Sequence, residues 1–174
     1  MRLRQLKLDF SSEHDRLLLR ILTDEEAELR FWLTRRYVRL LWPALLQTAT
    51  RIGAAGQQVD PEAKKALLEF EHERAVQQAD FSKPYDESAK NLPLGAAPVL
   101  AARFQCAQDG KGNAIVSVLP ADGQGINLTM DPVLLHSFMK LLQGAIVRSE
   151  WDFELKLPAA AMPPAAADGQ RILN

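Results

Sequence analysis

A single cysteine, Cys106, stands in the 174-residue chain, so no internal disulfide can form and cysteine usage is that of a reducing compartment. No window approaches the roughly 20 consecutive apolar residues that span a bilayer. Directly after Met1, the run Arg2-Leu3-Arg4-Gln5-Leu6-Lys7 alternates charged or polar with apolar side chains and leaves no apolar stretch for a secretory signal. A cytoplasmic protein with no membrane partner is expected. Charge of one sign is also missing: 21 Lys and Arg face 22 Asp and Glu, a net charge of -1, which by itself attracts no polyanion.

Chemistry-bearing motifs are equally scarce. The three histidines, His14, His72 and His136, have no ligand spacing to one another or to Cys106, so no metal site is expected. Glu69, His72 and Glu73 share a helical face, which reads as a solvated charged surface. Gly110-Lys111-Gly112 lacks the following helix of a phosphate loop and reads as a hairpin turn, so no cofactor is expected. Cys106 falls on an inward strand position, as a small buried apolar side chain and not a nucleophile. No catalytic residue is assigned.

What the chain does contain is ordinary globular composition, 47% hydrophobic and 25% charged, and clear periodicity. Leu6, Leu8 and Phe10, then Leu17, Leu19 and Ile21, then Ala27, Leu29, Phe31 and Leu33 alternate with polar neighbours as three strands separated by short turns. Thr34 is placed as the N-cap of a strongly apolar helix to about Ile52, interrupted by Pro43. Asp60-Pro61-Glu62 opens a second helix to about Ala79, with Ala63, Leu67, Phe70 and Arg74 on one stripe. A proline-containing connector anchored by Phe81, Tyr85 and Leu92 follows. Leu100, Ala102, Phe104 and Cys106, then Ala114, Val116 and Val118, then Ile126, Leu128 and Met130 repeat the three-strand pattern, and Asp131-Pro132 opens a helix to about Arg148. Trp151, Phe153, Leu155 and Leu157 alternate as a seventh strand.

The expected fold is α+β: two antiparallel three-stranded meanders, each followed by a helix, with an extra helix between the halves. The units are 1–53, 54–98 (acidic helix and connector), 99–157, and an Ala- and Pro-rich tail, 158–174. Leu33-Thr34 against Leu128-Thr129, and Leu45-Leu46-Gln47-Thr48-Ala49 against Leu141-Leu142-Gln143-Gly144-Ala145, make an internal ββ-β-α duplication a candidate, with spacing that differs by one residue.

One constellation bears on function. The outer face of the first meander carries Lys7, Leu18, Arg20, Arg30 and Trp32, alongside Asp9 and Glu28. Residues 1–51 hold 10 basic and 7 acidic side chains, whereas 60–90 hold 5 and 8. Trp flanked by Arg is the composition of a protein interface, so a non-enzymatic interaction or assembly module, with a protein partner or a homodimer, is the leading expectation. The alternative is single-stranded nucleic acid, its bases stacking on Trp32 and its phosphates pairing with Lys7, Arg20 and Arg30. A third reading is an enzyme whose groups meet only in space. A bland reading sets the acidic helix 60–79 against the basic half, within the molecule or in a dimer.

Overall fold

A computed structural model describes residues 2–159, so the tail lies outside the described residues from 160 onward. The chain is α+β, with one mixed six-stranded sheet and three helices. The strands β1 (Leu3–Ser11), β2 (Arg16–Thr23) and β3 (Glu28–Leu33) are antiparallel neighbours, as are β4 (Val99–Gln108), β5 (Ala114–Pro120) and β6 (Ile126–Met130). A short parallel pairing, Phe31 with Val99 and Trp32 with Leu100, joins the two sets in the order β1-β2-β3-β4-β5-β6. Parallel neighbours need a long crossover. Here it holds α1 (Arg35–Ile52), the short 3-10 turn Ala54–Gln57, α2 (Pro61–Gln78) and the connector.

Alternating leucines put Leu17, Leu19, Ile21, Phe31 and Leu33 on the inner face of the first set, and Val116, Val118, Leu128 and Met130 on that of the second. The helix after β6, α3 (Pro132–Ser149), packs along β1, and α1 packs along β4. Each helix thus covers the strand that opens the other set. Val38, Leu41 and Leu45 of α1 and Leu135, Phe138 and Leu142 of α3 are at most 1% exposed. Pro43 sits on the solvent side of α1, where the carbonyl its missing N–H leaves free can be hydrated, and the helix runs through it.

Turn chemistry fixes the hairpins. Asp15 and Glu26 adopt positive φ in the first set, while Gly112 and Gly123 do so in the second, at +84° and +90°. Glycine holds such a conformation without a Cβ clash. The N-caps are Thr34, accepting from the Tyr37 N–H, and Asp131, accepting from the Leu134 N–H at 2.8 Å. Thr129, matched with Thr34 by sequence, is instead still within β6. Asp131→Ala removes the only side-chain acceptor at that helix start and is expected to lower unfolding free energy by about 1 kcal/mol, read from urea denaturation.

Three expectations are corrected. The segment 151–157 is not a seventh strand. Its burial alternates, with Trp151 and Leu155 inside, but its backbone pairs with no strand among the described residues. It lies instead against α1 and α3, where the Trp42 indole donates to the Lys156 carbonyl at 3.0 Å and the Gln143 amide donates to the Leu155 carbonyl at 2.9 Å. Alternation reports two unlike sides, and a helix layer supplies one as well as a sheet does.

In β4, a bulge between Ala101 and Arg103 shifts the phase. Ala101 is therefore buried and Leu100 is 44% exposed, the reverse of simple alternation, while Phe104 and Cys106 remain half-buried inside. In α2, Leu68, His72 and Ala75 form the buried stripe and Phe70 faces out at 58% exposure. His72 is buried against α3, away from Glu69 and Glu73, which are exposed. A buried imidazole with a partner on another helix cannot be distinguished by spacing from a surface one.

Candidate functional site

The antiparallel registers bring the five candidate residues together in two cross-strand rows on one face. Lys7 lies opposite Arg20, and Arg20 opposite Arg30; Asp9 lies opposite Leu18, and Leu18 opposite Trp32. Three cations in one row repel unless countered. The counter-charges come from within the chain. Glu28, in β3, has a side chain with no exposed surface, and its carboxylate accepts from Arg20 Nη2 at 2.8 Å, from Arg30 Nε, and from the Tyr85 hydroxyl at 2.9 Å. Glu87 pairs with Arg20 and stands 3.9 Å from Lys7 Nζ, which also pairs with Asp9 at 3.3 Å.

Tyr85 and Glu87 belong to the connector, residues 79–98, which runs across this face as an extended strap. Tyr85 lies beneath the Arg20 guanidinium, 4.5 Å from its ring centroid. Further along, Gln5 brackets the strap, donating to the Pro84 carbonyl at 3.3 Å and accepting from the Asp86 N–H at 2.8 Å. The Lys90 N–H donates to the Glu26 carbonyl, the Glu28 N–H to the Asn91 carbonyl, and the Arg30 guanidinium to the Ala96 carbonyl. The acid expected on helix 60–79 is therefore delivered by the connector, while α2 packs against α3.

These contacts set the ionisation of the group. Burial pushes the Glu28 carboxyl up, but hydrogen bonds from Arg20, Arg30 and Tyr85 outweigh it and hold the carboxyl below its ordinary range. The Glu87 hydrogen bond raises Arg20, and burial with the Glu28 carboxylate raises Tyr85, so Glu28 stays ionised, Arg20 charged and Tyr85 neutral at neutral pH. Trp32 is half-buried, with the His14 imidazole stacked on it at 4.7 Å between centroids. Leu18 is half-buried beside it. Of the five, Arg20 is thus held internally, Lys7 and Arg30 are partly engaged, and Trp32 and Leu18 keep part of their surface.

Elsewhere, the Cys106 thiol is pushed up by burial, although Thr48 and Arg51 pull the other way. Among the described residues no three His, Cys, Asp or Glu side chains gather as metal ligands, and no helix is long and apolar enough to cross a membrane. No family model, curated protein or solved structure matches this chain.

Sequence reasoning missed two features. The first is the cleft where β3 ends and α1 departs, so that β4 beyond Leu100 has no strand on that side. The cleft has a volume of about 510 Å³ and is bounded by Thr34, Arg36, Tyr37 and Leu40 of the α1 side and by 100–104 of β4. Leu40 is 55% exposed, an isolated leucine on the otherwise polar flank of α1 and the one sequence signal that pointed there. The second is a buried pair, His72 Nδ1 and His136 Nδ1, 3.1 Å apart between α2 and α3.

Proposed function

We propose that the chain is a non-enzymatic interaction or assembly module built from an internal ββ-β-α duplication. The duplication rests on spacing. Thr34 and Asp131, the two N-caps, lie 97 positions apart, and so do Asp15 and Gly112, Glu26 and Gly123, and the starts of α1 and α3. The β2–β3 pairing of Leu19 with Phe31 recurs, at the same displacement, as Val116 with Leu128. A bulge follows Leu3 in β1 and Ala101 in β4. The match of Leu45 with Leu141 is replaced by Leu45 with Leu142, both fully buried.

The observation that carries the interaction reading is the unequal use of the two halves. The chain's own connector straps the outer face of the first half, whereas among the described residues the corresponding row of the second half, Gln105, the buried Ser117 and Asn127, has only an internal bond from the Ser117 hydroxyl to Asn127 at 2.7 Å. The cleft beside β4 is likewise open. An unpaired strand edge beside exposed leucines is a surface made for another chain. A single-stranded nucleic acid reading draws on Lys7, Arg30 and Trp32, but displacing Glu87 from Arg20 would stand against it.

Sedimentation across a concentration series, together with cross-linking in cell extract, is expected to show self-association or a specific protein adduct. A strict monomer with no adduct, combined with salt-dependent quenching of tryptophan by oligo-dT, would reverse the order of the two readings.

A further inference from the structure

We propose that the cleft between β4 and α1 binds an extended, acidic peptide segment carrying an aromatic side chain. The inference deepens the interaction reading above and rests on it. Three observations converge. First, the cleft has a counterpart that the chain's own connector helps to wall. The strand β1 and the flank of α3 bound a groove with residues 3–9 and with Leu134, Ser137 and Leu141, and connector residues between 79 and 85 form part of its wall. Phe81 and Tyr85 are the aromatic side chains of that stretch. The α1–β4 cleft has the same construction, a first strand beside the helix of the other set, and no connector residue walls it.

Second, the strand edge is suited to pairing. β4 has β5 along its length but β3 only at Val99 and Leu100, so its residues from 101 onward lack a ladder on the α1 side. Edge strands are usually blunted by charge or proline. β1 carries Arg4, Lys7 and Asp9 on its face and edge, whereas Ala101-Ala102-Arg103-Phe104-Gln105-Cys106-Ala107-Gln108 has one charge and no proline. The Arg103 carbonyl already accepts from the Tyr37 hydroxyl at 3.3 Å, so an added strand gains its main-chain hydrogen bonds beyond that point, with Leu40, Leu100 and Phe104 as an apolar seat for one ring.

Third, the charge at the cleft is of one sign and uncommitted. Arg36 and Arg103 both bound it and are exposed. Among the described residues neither pairs with a carboxylate; Arg103 reaches only the Pro120 carbonyl, at 3.4 Å. No acidic side chain bounds the cleft. Two other faces where arginines gather are met by the chain's own acids, at Glu28 and Glu87, and at Asp15 and Asp152 beside Arg35 and Arg39. The ligand must therefore bring its own carboxylates, as the connector does with Asp80, Asp86 and Glu87.

The test uses the full chain and a fluorescein-labelled peptide copying residues 79–89 with Lys83→Glu, followed by anisotropy. Saturable binding that weakens as salt rises is expected, and Arg36→Glu or Arg103→Glu in the protein is expected to weaken it by about tenfold each. Phe81→Ala with Tyr85→Ala in the peptide should abolish it, and so should replacing its acids by Lys. Both arginines are exposed, and unchanged thermal melting of the variants excludes a folding defect; Leu40→Asp gives an independent block of the same cleft.

No saturable binding, or binding that survives both arginine substitutions because the peptide has exchanged with the chain's own connector, overturns the proposal. So does oligo-dT that binds and competes the peptide away. Self-association by sedimentation is independent of these arginines, so a lost peptide signal with retained assembly separates failure of the cleft from failure of the interaction reading.

Discussion

Glu28→Ala is expected to lower unfolding free energy by about 3–5 kcal/mol, the range found when one partner of a buried ion pair is removed. The Glu28 side chain has no exposed surface, and it alone touches both Arg20 and Arg30. Truncation leaves Arg20, 13% exposed in its side chain, with only the solvent-facing Glu87, and leaves the Tyr85 hydroxyl without its acceptor. The like-charged row Lys7, Arg20 and Arg30 then faces itself across three strands. Denaturation in guanidinium chloride measures the loss. A second readout separates charge from packing: Glu28→Gln keeps the shape and the hydroxyl's acceptor but not the charge, and is expected to lose less. If Glu28→Ala unfolds with the wild-type midpoint, the carboxylate does not hold the strap.

Stability is also expected to fall on mild acidification because of His72 and His136. Their Nδ1 atoms are 3.1 Å apart, so one ring donates and the other accepts, which excludes a doubly protonated pair. Burial lowers both, and for His136 burial together with His72 brings the value down to about 4 from an ordinary 6.5. Around the pair, Gln143 and Glu73 favour protonation of His72 and Lys140 opposes it.

The unfolded chain takes up protons near pH 6.5 while the folded chain resists until about pH 4. The unfolded state thus binds more protons in that window. Stability is full above pH 6.5 and is lost as pH falls toward 4, by about 3 kcal/mol for a displacement of this size. Carboxylates held low, such as Glu28, stay charged in the upper part of the window, so the slope between pH 6.5 and 5 belongs to the histidines. Replacing both, His72→Leu with His136→Leu, removes donor and acceptor together and should flatten that slope while changing stability at pH 7.5 little. An unchanged slope in the double variant would show that the pair does not titrate as described.

Much of this molecule was legible from residue order. Period-two leucines placed five of the six strands in correct phase, since burying one face requires them, and Asp60-Pro61 and Asp131-Pro132 marked two helix starts. The exceptions have a common cause. The bulge at Ala102, the buried stripe of α2 and the unpaired segment 151–157 each depend on what lies across from them, and that partner is distant in sequence.

The candidate surface was legible in the same measure. Alternation alone placed Lys7, Arg20 and Arg30 on one face. It could not show that Tyr85 and Glu87 return to cover that face, because neutralising a cationic row leaves no period in the segment that does it. The β4 cleft left only the lone Leu40 as a signal, because it exists where β3 stops and a missing neighbour leaves no period in the sequence.

The exchange of helices between the two strand sets has a kinetic meaning. The Arg148 guanidinium donates to the Leu8 carbonyl across 140 positions of chain, and the Trp151 indole to Asp15 across 136. Hairpins close small loops and assemble early, but the seam that dries the interior of the first set waits until nearly the last residue of α3 has arrived. A nascent chain therefore carries a half-roofed sheet until α3 has emerged, and its productive collapse is a long-range event.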